Sequence, residues 1–243
     1  MKEVNYTVER NRKIAKDIYE MVLNGDNSAI TRPGKFVNLL IDGCYLRRPL
    51  SVCNVEGDRL TLIYKVVGKG TEILSRTAPG AVIDTLTGLG NGFDVTRAGG
   101  YPLLVGGGVG VPPMYLLCRR LIEGGAKPTV VLGFNTAEDV FYRAEFEALG
   151  AEVHVTTADG SVGTKGFVTD AVKRLMYTYF YACGPMPMFR ALDRVVTTSG
   201  EYSFEERMGC GFGACMGCSC KTKYGSKRIC IDGPVLRREE VIW

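Results

Sequence analysis

Over roughly the first 98 residues, apolar and polar positions alternate in short runs that are closed by glycine, asparagine or aspartate: YTVERNRKI, IYEMVLNG, GKFVNLLIDG, RRPLSVCNV, RLTLIYKVV and AVIDTLTG. A period of two sends successive side chains to opposite faces, so these runs predict six strands, and their spacing predicts a closed antiparallel barrel. One short helix, TEILSRTA, follows Gly70.

From Tyr101 to Gly200 the rhythm changes. YPLLVGGG leads into PPMYLLCRRLIEGG, PTVVLGF into AEDVFYRAEFEALG, AEVHVTTADG into FVTDAVKRLM, and YTYFYACGP into MFRALDRVVTTSG. Apolar strands followed by amphipathic helices predict a parallel sheet with right-handed crossovers, whose ligands bind beyond the carboxyl ends of the strands. Residues 201–243 are too few for a core of their own, and a metal centre is a natural staple for them. The chain therefore reads as multidomain. It has an antiparallel β-barrel over 1–98, an α/β parallel-sheet nucleotide-binding domain over 99–200 and a small C-terminal cluster-binding segment over 201–243.

Composition changes this picture little: 46% hydrophobic and 23% charged residues, with a net charge of +4, fit an ordinary globular chain. No run of like charges suggests a nucleic-acid partner. The N-terminal MKEVNYTVERNRKIAK lacks the apolar core of a secretory signal, so a cytoplasmic location is expected. Ala98 to Cys118 is uncharged and long enough to cross a bilayer, yet its six glycines and three prolines argue against a spanning helix. It reads instead as a strand, a glycine loop and a helix start.

The cysteines change the picture most. MGCGFGACMGCSC, from Met208 to Cys220, holds four cysteines and four glycines, and Cys230 follows. In a reducing compartment such crowding favours metal or redox chemistry over disulfides. Cys210, Cys215 and Cys218 have the C-x4-C-x2-C spacing of a plant-type [2Fe-2S] site, and the glycines let the backbone wrap closely and aim N–H groups at sulfur. Cys220 stands only two residues after Cys218, so Cys230 is the expected fourth ligand. The competing reading is structural zinc, which usually takes two separated C-x2-C knuckles; here only Cys215 and Cys218 form one.

Three further motifs suit phosphates. GGGVGVPP, Gly106 to Pro113, links a strand to a helix start, although Pro112 and Pro113 cannot donate hydrogen bonds there. A plain tight turn is the alternative. RRPLSV offers a guanidinium on a strand that Pro49 marks as an edge or bulge, unless its arginines are simply solvated. IYKVVGKGT runs a strand into a glycine-rich turn. Two such sites in one barrel point to a flavin nucleotide. YACGP ends a parallel strand where a nicotinamide would lie, though Cys183 alone reads as a small buried hydrophobe. With His154 the one histidine, no hydrolytic triad can be assembled, and any chemistry belongs to cofactors.

In this order, the motifs resemble the ferredoxin-NADP reductase superfamily. RRPLSV, VVGKGT, GGGVGVPPM, MGCGFGACMGCSC and CIDGPVL resemble more narrowly the electron-transfer subunits of two-subunit, NAD-dependent dihydroorotate dehydrogenases. The resemblance implies FAD on the barrel: Arg48, Pro49, Leu50 and Ser51 at the flavin and phosphate, Ile63, Tyr64 and Lys65 lining it, and Gly70 and Thr71 at the pyrophosphate. It implies NAD near Gly106, Gly107, Gly108, Gly110 and Cys183, and a [2Fe-2S] cluster. It further implies an FMN-containing catalytic partner in a heterotetramer of two of each subunit, serving pyrimidine synthesis. Flavin subunits of bifurcating ferredoxin-NADP oxidoreductases are the nearest alternative; an aspartate replaces one cluster cysteine there, whereas four cysteines are available here. A zinc-stapled nucleotide-binding module without redox activity is the alternative from another class.

Overall fold

The computed structural model describes residues 1–243. The alternating runs form β1 (Lys2–Ala15), β2 (Ile18–Asn24), β3 (Phe36–Leu39), β4 (Arg48–Glu56) and β5 (Arg59–Lys65), then the short helix α1 (Lys69–Ser75) and β6 (Val82–Leu89). These six strands close into a barrel in the order β1-β2-β5-β4-β3-β6. Its interior is apolar, with Met21, Leu23, Val37, Leu39, Leu60 and Leu62 buried together. That burial of alternate positions fixes the register, since a slip by one residue would expose the whole set.

The second segment supplies β7 (Leu103–Gly107), α2 (Val111–Glu123), β8 (Thr129–Phe134), α3 (Arg143–Ala148), β9 (Glu152–Thr157), the two-residue β10 (Thr164–Lys165), α4 (Val168–Val172), β11 (Phe180–Cys183) and α5 (Met186–Asp193). The helix expected over AEDVFYRAEFEALG is broken: Tyr142 lies at φ +64 ahead of α3. Tertiary contacts hold that strained conformation, because the Tyr142 hydroxyl donates to Glu20 Oε2 of the barrel at 2.9 Å.

The sheet continues past Gly200. β12 (Gly200–Ser203) pairs parallel with β11, the hairpin β13 (Ser219–Thr222) and β14 (Gly225–Arg228) follows, and β15 (Val235–Arg237) returns antiparallel to β12. The seven-stranded order is β10-β9-β8-β7-β11-β12-β15. The tail thus shares the nucleotide domain's core, and its cysteine loop is an excursion between two strands of that sheet. Arg119 of α2 clamps sheet to barrel, donating to Asn54 Oδ1 and to the Val55 carbonyl, each at 2.8 Å.

Glu201 of β12 is 4% exposed, and its carboxylate accepts the Asp94 N–H at 3.0 Å. Burial, reinforced by the Asp94 charge, pushes its pKa up from 4.5 to about 7. Between those values the folded chain keeps a proton that the unfolded chain has lost, so stability falls as pH rises through this window and stays low above it. Glu201→Gln should therefore raise stability by roughly 1–3 kcal/mol above neutrality and change little near the lower end of the window. Thermal unfolding of both proteins at the two ends of that range checks this; a constant difference would overturn it.

Candidate functional site

Beyond the carboxyl ends of β7, β8 and β11 lies a cavity of about 530 Å³. All three segments wall it: Ile18 and Lys65 from the barrel, Gly107, Gly108 and Gly184 from the sheet, and Glu205 from the tail. The glycines of the first loop divide by task. A Cβ on Gly106 would lie 2.9 Å from Val111 Cα, and one on Gly110 would lie 2.2 Å from the Cys183 carbonyl oxygen. These two permit the close packing of α2 on β7 and β11. Gly108, at φ +53, has nothing within 4 Å of its Cβ position, leaving bare backbone for a phosphate to approach.

Cys183 stands behind this wall, 1% exposed, while Gly184 and Pro185 face the cavity. Burial, then the nearby Glu205 charge, pushes its thiol well above the ordinary range. Glu205 is open to the cavity but surrounded by protein, and this desolvation raises its carboxyl pKa. Sequence reasoning missed Glu205 and Met188, whose sulfur sits 2.5 Å from the Cβ position of Gly107. The strand that delivers Glu205 is four residues long and buried at every position, so alternation in the sequence gives no signal for it.

On the barrel, the two arginines of RRPLSV separate. Arg47 is committed to Asp84, with two contacts of 3.0 Å. Arg48 forms no ion pair; it donates to the Leu46 carbonyl at 2.5 Å, and its Nε lies 2.6 Å from the Cβ position of Gly70. Any side chain at Gly70 would displace it, so the cradle has the free guanidinium and bare backbone that suit a diphosphate. Pro49, Leu50 and Ser51 are half-buried beside it. The Thr71 hydroxyl is engaged by the turn, accepting from Val67 N–H at 2.9 Å. Ile63 and Tyr64 are buried, and the Tyr64 hydroxyl donates inside to Asn11 Oδ1 at 2.9 Å. Main-chain atoms are what these two can offer a cofactor, whereas the half-buried Lys65 reaches the cavity.

The cysteine loop is wrapped as a thiolate centre requires. N–H groups of Ala214, Cys215 and Phe212 donate to Cys210 Sγ at 3.2, 3.4 and 3.5 Å. Cys210 N–H donates to Cys215 Sγ at 3.4 Å, and Cys230 N–H donates to Cys218 Sγ at 3.4 Å. Partial burial alone would raise the Cys210 thiol, but these amides outweigh it and lower its pKa to about 6. Cys230 is thus tied to Cys218, while Cys220, in β13, makes no such sulfur contact. Soft sulfur suits an iron–sulfur cluster, and three of the four expected ligands, Cys210, Cys215 and Cys218, already accept amide N–H groups.

Barrel, cleft and cysteine loop together make the molecule a reductase of the ferredoxin-NADP reductase type. The iron-sulfur cluster binding domain of dihydroorotate dehydrogenase B matches residues 205–242, and the oxidoreductase NAD-binding domain matches residues 104–194. The dihydroorotate dehydrogenase B (NAD(+)) electron transfer subunit of Geobacillus sp. (strain WCH70) is 45% identical over 256 residues, covering 100% of this chain and 99% of its own length. That of Fusobacterium nucleatum is 45% identical, covering 99% of each. The chain belongs to this family of electron transfer subunits. Among solved structures, an NADH-dependent reduced ferredoxin-NADP oxidoreductase studied for flavin-based electron bifurcation is 33% identical, with a TM-score of 0.89, and the match covers 98% of this chain and 90% of that one. Phthalate dioxygenase reductase, 20% identical with a TM-score of 0.64 over 84% of this chain and 69% of its own, shares the fold. No helix is long and apolar enough to cross a membrane.

Proposed function

We propose that this chain carries electrons from an FMN-containing dihydroorotate dehydrogenase subunit through a [2Fe-2S] cluster and FAD to NAD+, in pyrimidine biosynthesis. The observation that supports the reading is the cavity beyond the carboxyl ends of the parallel strands, walled by residues of barrel, sheet and tail, with the cysteine loop tied to the same barrel through Asn38 and Cys210. When bound, a flavin exchanges electrons singly or in pairs, and so stands between a one-electron cluster and a hydride acceptor. Dihydroorotate gives up two electrons and two protons in becoming orotate; NAD+ takes a hydride and one proton leaves to solvent. No side chain of this subunit need act as acid or base.

Arg48 and Gly70 would hold the flavin diphosphate on the barrel, and Gly107 and Gly108 would receive that of NAD. Beyond β8 the wall offers Asn135 and Asp139, and Lys65 is its one basic residue, which suits a free 2′-hydroxyl better than a 2′-phosphate. Phe212, Met216 and Ile231 are exposed, by 42, 58 and 46%, on the segment that carries the cysteines. The FMN subunit covers this apolar face in a complex of two of each chain. The work belongs in the cytoplasm, where thiols stay reduced.

Coexpression with an FMN-containing dihydroorotate dehydrogenase tests this. A coloured complex should copurify and reduce NAD+ with dihydroorotate. A colourless zinc protein, or assembly only with a glutamate synthase-like subunit, would overturn the reading.

A further inference from the structure

Asn38 lies in β3 between Val37 and Leu39, which point into the barrel core. Its own side chain faces outward on the side of its strand partners, Pro49 of β4 and Leu86 of β6. There it meets the cysteine loop. The amide Nδ2 donates to the Cys210 carbonyl at 3.1 Å, and a Cβ on Gly211, at φ +80, would lie 2.4 Å from that nitrogen. Phe36, two residues earlier on the same face, belongs to the apolar core that contains Cys218 and Cys230. The outer face of β3 therefore seats the cluster segment beside the strand bearing the proposed flavin residues.

Asn38 is 1% exposed, and its Oδ1 is buried without a hydrogen bond. A half-satisfied buried amide is poor for stability, and an apolar side chain of similar size would avoid the penalty. Asn91 shows the contrast. Also tying the barrel to the tail, it uses both amide atoms, donating to the Val235 carbonyl at 2.8 Å and accepting the Val235 N–H at 3.1 Å. What Asn38 uniquely contributes is its donor to the residue that would bear the first cluster ligand.

We propose that Asn38 is a positioning residue that fixes the cysteine loop against the flavin-bearing strand pair and so sets the separation of cluster and flavin. This rests on the reading that both groups bind where argued above. One side chain and one hydrogen bond span from β3, paired with β4 at Pro49, to Cys210.

Asn38→Leu and Gly211→Ala, each in the full chain purified anaerobically, provide the test. For Asn38→Leu the melting temperature and flavin content should equal or exceed those of the wild type. Iron release to a chelator should accelerate by about tenfold, as expected when a group supporting a metal ligand is lost. On rapid mixing with NADH, bleaching of the cluster bands should lag that of the flavin bands by about tenfold more than in the wild type. The low-temperature EPR signal of the reduced cluster should shift or broaden. Gly211→Ala, which pushes the loop off Asn38, should move the cluster readouts in the same direction. Wild-type EPR, iron release and bleaching in Asn38→Leu would overturn the proposal. So would a fall in melting temperature with matching flavin loss, which marks a merely structural role. A wild-type chain lacking iron or flavin would instead sink the functional reading on which the proposal stands.

Discussion

Replacing Cys215 with serine is expected to abolish dihydroorotate-dependent NAD+ reduction and to leave NADH-to-dye turnover within about twofold of wild type, as for a surface change outside a working site. Cys215 is the exposed member of the four expected ligands, so its side chain supports little of the core. Its N–H, which donates to Cys210 Sγ at 3.4 Å, survives in serine. The soft thiolate does not, and a hard hydroxyl is a poor substitute at iron. Arg48, Gly70 and the cavity beyond the carboxyl ends of β7, β8 and β11 involve no atom of Cys215. Both assays on one preparation, with iron determined alongside, check the separation. Equal loss of both activities would show that dye reduction also runs through the cysteine centre.

The parts legible in the sequence are those whose determinants are local. The cysteine spacing is set within one loop, and the glycine loop lies between adjacent elements, so both could be read as motifs. Even the limit on Tyr64 was available: it shares a strand face with Leu60 and Leu62, and all three enter the barrel core. Four-residue β12 and three-residue β15 are too short for periodicity to stand out, and their pairing depends on residues more than thirty positions apart. Glu205 and Asn38 were hidden for the same reason. Each acquires its role from a neighbour distant in sequence, 172 positions away for Asn38 and Cys210. Tyr142 shows tertiary structure overruling local preference, since a run that reads as helix is broken to deliver a hydroxyl to Glu20.

Gly110→Ala is expected to damage both stability and nucleotide binding through space alone, since Gly110 has an ordinary φ of −79. The added methyl would lie 2.2 Å from the Cys183 carbonyl oxygen, 2.4 Å from its carbon and 2.6 Å from Gly184 N. All three are backbone atoms, so no rotamer change gives relief, and the end of β11 or the start of α2 must shift. α2 is tied to β4 by Arg119, which resists that shift. Overpacking of this kind costs about 1–3 kcal/mol or more, a fall in melting temperature of roughly 5–10 °C. The displaced Gly184 and Pro185 line the cavity, so the KM for NADH in the dye assay should rise by about tenfold or more. Gly100→Ala is the control, with nothing within 4 Å of its Cβ position, and should alter neither quantity. Wild-type melting and KM in Gly110→Ala would mean that α2 and the turn after Cys183 do not approach as closely as described.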